Sequence, residues 1–274
     1  MKCVLLNSSG EPAFWEHVRR DTPNYYFFIF DWRLNKDKTK IFLALLDREI
    51  VGSMLIYDQR IVHIRGSPEA AELLMNEVDL EKVEFQAPKE HEPIILQKYR
   101  PSTKQEMILM TLQGGEEQLC IKHPIVKLGS AEAEEIAALL GEEFPEWGEF
   151  TSDRIIERMR EGALFLGIKE GGKVVSMSNT RILDFGSNIG MVVTMKGYRG
   201  RGYATSVVSA LLKEIFRESK LALIHVLSDN PSAMRVYTKV GFKPYKTYAF
   251  IRGERIAEKI VEERKDQASP CGDH

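Results

Sequence analysis

Residues Val192 to Thr205 read Val-Val-Thr-Met-Lys-Gly-Tyr-Arg-Gly-Arg-Gly-Tyr-Ala-Thr, a β-branched run entering a basic, glycine-rich turn. An amphipathic pattern from Tyr203 to Arg217 follows, so the turn opens a long helix. This is the chemistry of an anion site. Glycines let a ligand approach the backbone closely, and the first turn of a helix leaves N–H groups without internal partners. The helix dipole adds to their attraction for negative charge. Each charge-assisted bond contributes about 1.5–3 kcal/mol, so a few of them hold a pyrophosphate. Two other phosphate motifs fail on spacing. A P-loop requires Gly-Lys-Ser/Thr, and a dinucleotide fingerprint requires a third glycine where Thr205 stands.

A second group of residues lies further on: Asp229, Asn230, Pro231, Ser232, Ala233 and then Tyr237, ending at Gly241-Phe242. Asn230 suits a helix N-cap, Pro231 a first helical position and Gly241 a left-handed helix end. Tyr237 is either an amphipathic core residue or a hydroxyl facing a cleft between strands.

The elements that must position these residues recur along the chain. The first half reads as a strand Cys3–Leu6, a helix Pro12–Arg20, and strands Ile41–Leu46, Ile50–Tyr57 and Arg60–Arg65. A helix Pro68–Val78, a strand Val83–Gln86, a short helix Pro93–Tyr99 and a strand Glu106–Leu112 complete it. The second half reads as a strand Ile125–Leu128, helices Ala131–Leu140 and Asp153–Arg160, and strands Ala163–Ile168, Lys173–Leu183 and Asn188–Met195. The helix Tyr203–Arg217, strand Leu221–Leu227, helix Ser232–Val240 and strand Lys243–Ile251 follow. Gly114-Gly115 marks the boundary. Two local echoes support a repeat: Arg65-Gly66-Ser67-Pro68-Glu69-Ala70 against Arg199-Gly200-Arg201-Gly202-Tyr203-Ala204, and Pro93…Tyr99 against Pro231…Tyr237.

Composition narrows the classes. The 274 residues carry a net charge of −2, which recommends neither nucleic acid nor an anionic membrane as partner. No apolar run approaches the roughly 18 residues of a membrane span, and the N-terminus offers no signal-peptide core, so a cytoplasmic protein is expected. Cys3, Cys120 and Cys271 lack CxxC spacing, and the six histidines form no HxxxH or HxH pair, so no metal is expected.

At the residues quoted first, the chain resembles the GNAT superfamily of acyl-CoA-dependent N-acyltransferases. The pattern Arg/Gln-x-x-Gly-x-Gly/Ala is met by Arg199, Gly202 and Ala204. The later Asn-x-x-Ala-x-x-x-Tyr-x-x-x-Gly-Phe is met by Asn230, Ala233, Tyr237, Gly241 and Phe242. The resemblance covers residues 123–252 at the level of residues and the first half at the level of element order. A degenerate copy before an active one is also similar to glycine N-acyltransferase-like proteins.

The resemblance implies an α/β fold with tandem GNAT-like units: a degenerate one over 1–115, a catalytic one over 121–255, and a polar tail over 256–274. Each would be a mostly antiparallel mixed sheet flanked by helices and splayed between its fourth and fifth strands. Acetyl-CoA would insert in the second gap. Its pantetheine would run along Val192, Val193 and Thr194, and a strand N–H near Val193 would polarise the acyl carbonyl. Its pyrophosphate would meet Arg199, Gly200, Arg201, Gly202, Tyr203, Ala204 and Thr205, with Asn230 and Ala233 alongside. Tyr237 would assist departure of the thiolate as the amine attacks directly in a ternary complex.

The family often places a glutamate on the fourth strand, and Asn188 to Thr194 contains none. Asp184, His225 and Asp229 remain as candidate bases. The alternatives are a noncatalytic acyl-CoA-binding or sensory module, and an interaction protein whose first half recognises a partner. The aromatic residues Trp15, Tyr25 to Phe28 and Trp32 read as core rather than binding surface. The acceptor is a primary amine of unspecified kind, and a homodimer is possible. Pro68 and Glu69 in the first hexapeptide remove an N–H and add a negative charge, so only the second half is expected to bind CoA.

Overall fold

The computed structural model describes residues 1–145 and 148–256. Of the tail expected from residue 256, all but Ile256 lies outside the described residues, as does Cys271. The first half runs β1 (Lys2–Leu5), α1 (Glu11–Arg19), α2 (Tyr26–Leu34), β2 (Thr39–Leu46), β3 (Glu49–Tyr57), β4 (Ile61–Gly66), α3 (Pro68–Met75), β5 (Lys82–Pro88), α4 (Glu92–Lys98) and β6 (Tyr99–Gln113). The second runs β7 (Val126–Leu128), α5 (Ala133–Glu143), α6 (Ser152–Arg160), β8 (Ala163–Glu170), β9 (Lys173–Arg181), β10 (Ser187–Thr194), α7 (Tyr203–Ile215), β11 (Leu221–Leu227), α8 (Pro231–Lys239) and β12 (Lys243–Arg255). The order of elements is the same twice. The sequence reading lacked α2, which completes the repeat as the counterpart of α6.

The two units share a single mixed sheet of twelve strands, ordered β1-β2-β3-β4-β5-β12-β6-β11-β10-β9-β8-β7. The last strand of each half crosses over. β6 pairs antiparallel with β11 of the second half, β12 pairs antiparallel with β5 of the first, and β6 and β12 pair with each other from Tyr99↔Arg255 to Thr111↔Lys243. Among the described residues only β4–β5 and β10–β11 pair in parallel.

Strand alternation assigns the helices to the two faces. Ile41, Leu43 and Leu55 pack in the cluster of Phe14, Phe28 and Trp32 from α1 and α2, while Ala44, Met54 and Ile56 pack with Leu74 of α3 and Ile95 of α4. In the second half Leu221 and Leu223 meet Tyr26 of α2, whereas Ala222, Ile224 and Val226 meet Leu211 of α7 and Tyr237 of α8. Helix α2 of the first half therefore covers strands of the second. It is apolar around its circumference because it packs against more than one partner.

Candidate active site

β10 and β11 pair through three residues each, Ser187↔Ala222 to Ile189↔Ile224, and then separate. A β-bulge between Gly190 and Val193 helps to turn β10 away, with Met191 at φ +49°. The N–H of Met195 donates to the carbonyl of Val175 on β9 at 2.9 Å. Alternation then places the N–H of Val193 on the β9 side and those of Val192 and Thr194 on the edge facing the gap. A strand N–H near Val193 that faces the gap would therefore be that of a neighbour. Val193 itself is buried among Met177, Ile136 and Leu140.

Between Thr194 and Tyr203 the chain makes the loop expected to bind an anion. Gly200 and Gly202 stand at φ +78° and +83°, conformations that favour glycine, and a Cβ at Gly200 would meet open space. Gly202 is the N-cap of α7 and supplies no side chain to the helix end. The first main-chain bond into the helix is from Ser206 N–H to the Gly202 carbonyl. Among the described residues, the N–H groups of Gly200, Arg201, Gly202, Tyr203, Ala204 and Thr205 have no acceptor. Their free state and their place at a helix N-terminus fit a pyrophosphate.

The loop is braced by side chains. Arg199 donates to the Thr194 carbonyl at 3.0 Å and ion-pairs with Glu143 of α5. Tyr203 is buried, donates to Glu170 at 2.7 Å and lies edge-on to His123. His123 Nε2 donates to the Arg201 carbonyl at 2.9 Å, and Arg201 stacks over Tyr198 at 5.1 Å. Lys122 N–H donates to Ser206 Oγ, which fastens the connection between the halves across the start of α7. His123 and Glu170 carry no motif spacing that would reveal them from the sequence.

On the α7–α8 side of the gap, Tyr237 packs with Ile189, Ile224, Val226 and Phe242, with Val192 and Ala233 against the same cluster. Its hydroxyl makes no hydrogen bond among the described residues, and burial holds its pKa above the ordinary tyrosine value. Asn230 caps α8: its Oδ1 accepts from Ala233 N–H at 3.0 Å and from Ser232 Oγ at 2.8 Å. On the α2 side, His225 Nδ1–H donates to Asn188 Oδ1 at 3.1 Å, and its ring lies 5.4 Å from Phe27. Burial, with a smaller contribution from the Arg65 charge, pulls His225 down to about 3. Asp184 ion-pairs with Arg33 at the surface, and Asp229 is exposed at the end of β11. No carboxylate lies on β10. Among the described residues no group of side chains is placed to hold a metal ion, and no helix is long and apolar enough to cross a membrane.

A parallel pair that opens beside a free helix N-terminus is the arrangement the resemblance implies. Residues 165–251 match the family model of the FR47-like proteins. The chain has the GNAT fold. A Drosophila protein of known structure superposes with a TM-score of 0.69 at 14% identity, over 92% of this chain and 98% of that one. A GNAT-family acetyltransferase from Colwellia psychrerythraea gives 0.56 at 13% identity, over 93% and 100%. A GCN5-related N-acetyltransferase from Sphaerobacter thermophilus gives 0.56 at 16%, over 79% and 80%. Among curated proteins no sequence matches. The exchange of β6 and β12 joins the two halves of the sheet.

Proposed function

We propose that the protein is an acyl-CoA-dependent N-acyltransferase that moves an acetyl group from acetyl-CoA to a primary amine by direct attack in a ternary complex. The observation that carries this reading is the gap between β10 and β11 leading to six unpartnered backbone N–H groups at the start of α7. Pyrophosphate bound there would let pantetheine run along the free edge of β10. The N–H groups of Val192 and Thr194 would then meet pantetheine and the thioester carbonyl, stabilising the oxyanion as it forms. The amine nitrogen attacks the carbonyl carbon, the C–S bond breaks, and the thiolate leaves beside Tyr237. With its pKa raised by burial, Tyr237 keeps its proton and acts by hydrogen bonding to the sulfur rather than by full transfer.

The absence of a carboxylate on β10 favours a second reading, a noncatalytic acyl-CoA-binding module. Thiol release from acetyl-CoA across a broad amine panel, run beside calorimetric binding of acetyl-CoA, separates the two. Amine-dependent release is expected. Stoichiometric binding with no release from any amine would support the module, and no binding would defeat both.

A further inference from the structure

We propose that His225 holds the acceptor amine through Nε2, and that the site takes flat, weakly basic amines, arylamines as a class, in preference to alkylamines. The inference rests on reading the β10–β11 gap as the acyl-CoA site. His225 is the first residue of β11 beyond the last paired rung, so it stands where the strands part. It shares the parity of Leu221 and Leu223 and faces α2, across the sheet from Tyr237. A nucleophile arriving from the α2 side would meet a thioester whose sulfur leaves toward the other face.

The hydrogen bonding of His225 is half complete. Asn188 Oδ1 can only accept, so Nδ1 carries the ring proton and the lone pair is on Nε2. Nε2 has no partner among the described residues, and the residue is partly exposed. A second polar atom on this face is also unsatisfied. Asn179 lies opposite Gly190, where a Cβ would sit 3.2 Å from Asn179 Oδ1, and its buried Nδ2 has no partner.

The charges around this position select against a cation. β6 opposes His225 with Leu109, β10 offers neutral Asn188, and α2 offers Phe27. Behind Phe27 lies His63, itself pulled down to about 3, and buried Arg65 is the charge that acts on His225. Arg181 lies over Phe30. The acid of α2, Asp31, is buried and pushed up to about 7, while Asp184 is paired with Arg33 at the rim. Among the described residues no carboxylate is among the charges that act on the imidazole, so none is placed to hold an alkylammonium there. Phe27 and Phe30 are partly exposed and offer flat aromatic surface.

Proton transfer gives the same selection. The nitrogen forms its bond to the carbonyl carbon, the C–S bond breaks, and the nitrogen's proton passes to Nε2 and on to water. The departing thiolate takes a proton from water. An imidazole this weakly basic accepts a proton only from a strongly acidic donor, which an arylamine nitrogen becomes on attack and an alkylamine nitrogen does not.

The test compares p-anisidine with benzylamine as acceptors in acetyl-CoA-dependent thiol release by the full chain. At pH 7 p-anisidine should have kcat/KM at least about tenfold higher, and its kcat/KM referred to the neutral amine should be flat from pH 5 to 8. His225→Leu should lower kcat by about 10²–10³ without changing the acetyl-CoA Kd. Asn188→Asp places a carboxylate on Nδ1 and raises the basicity of His225. An acid limb should then appear between about pH 5 and 7, and the preference should move about tenfold toward benzylamine. If His225→Leu unfolds, the Asn188→Asp result decides. Equal or better use of benzylamine by the wild type, use of neither amine while acetyl-CoA binds, full kcat in a folded His225→Leu, or an unmoved profile in Asn188→Asp would overturn the proposal. Failure of acetyl-CoA to bind would instead defeat the reading of the gap.

Discussion

Each half of the sheet contains one parallel strand pair, and each pair comes apart after three rungs, His63↔Gln86 being the last in the first half and Ile189↔Ile224 in the second. Beyond those rungs the two halves diverge. In the second half a bulge bends β10 away, and residues 195–202 form the loop before α7. In the first half β4 has no bulge, and Ser67 alone separates it from α3. The side chain of Arg65 fills the space. It is buried, and it donates to the Asn24 carbonyl at 3.0 Å, to the Ile64 and Gln86 carbonyls at 2.8 and 3.0 Å, and to Gln86 Oε1 at 2.7 Å. Its guanidinium also lies 4.3 Å from the Tyr248 ring centroid.

The helix after β4 is closed to anions as well. Pro68 has no N–H, Ser67 Oγ accepts from Ala70 N–H at 3.3 Å, and Glu69 is held ionised by the Ser67 hydroxyl. One fold therefore appears twice, once with its gap stitched by a cation and once with its gap and helix terminus free. A single side chain and a short loop are enough to convert a ligand slot into core.

The largest effect should come from the open gap. Tyr237→Phe is expected to lower kcat by about 10²–10⁴ with acetyl-CoA affinity near wild type, since only a transition-state contact is lost. Steady-state kinetics with calorimetric binding checks this, and an unchanged kcat removes Tyr237 from the mechanism.

The closed gap should respond in stability instead. Arg65→Met strips hydrogen bonds from buried carbonyls and should cost about 3–4 kcal/mol in urea unfolding. It should not create a second acetyl-CoA site, because Pro68 and Glu69 remain; a second site would show that Arg65 alone keeps the first half inactive.

Next comes α2, the first-half helix that spans both halves. Asp31 in it is pushed up to about 7 by burial, so between about pH 4 and 7 the folded state keeps a proton that the unfolded state has released. Stability should fall with rising pH across that window and level off above it. Asp31→Asn should remove this fall and add about 3–4 kcal/mol at pH 8 while changing little at pH 4. Unfolding curves at the two pH values decide; equal gains at both would place the effect elsewhere.

The smallest effect is expected at Tyr99, which the Pro93…Tyr99 echo sets against Tyr237 but which opens β6, whereas Tyr237 lies within α8. The Tyr99 hydroxyl already donates to the Leu80 carbonyl at 2.9 Å. Tyr99→Phe should cost about 1 kcal/mol of stability and leave kcat unchanged, which thermal unfolding and the thiol assay check together.

The sequence carries the open gap plainly, because glycines, arginines and helix caps act locally. It carries the closed one poorly. Arg65-Gly66 echoes Arg199-Gly200, yet Arg65 lies inside β4 and Arg199 in a loop; Gly66 stays paired with Gly52 so closely that a Cβ there would clash with it. The crossing of β6 and β12 is silent because both strands keep the same alternation whichever antiparallel neighbour they meet. Helix α2 escapes a periodicity reading because Tyr26, Phe28, Ile29 and Trp32 are buried around its circumference. The partners of His225 come from distant strands, so no spacing reveals them.

The central claim, that acyl-CoA binds only in the second half, is tested most directly by calorimetric titration with acetyl-CoA. Because Gly202 stands at φ +83°, where proline cannot follow, a charge reversal on the exposed Arg201 probes the anion loop better than grafting Pro68 onto it. One equivalent should bind per chain, and Arg201→Glu should weaken it about 30-fold or more by losing a cation and adding an anion beside the pyrophosphate. Two equivalents in the wild type, or unchanged affinity in Arg201→Glu, would contradict the account.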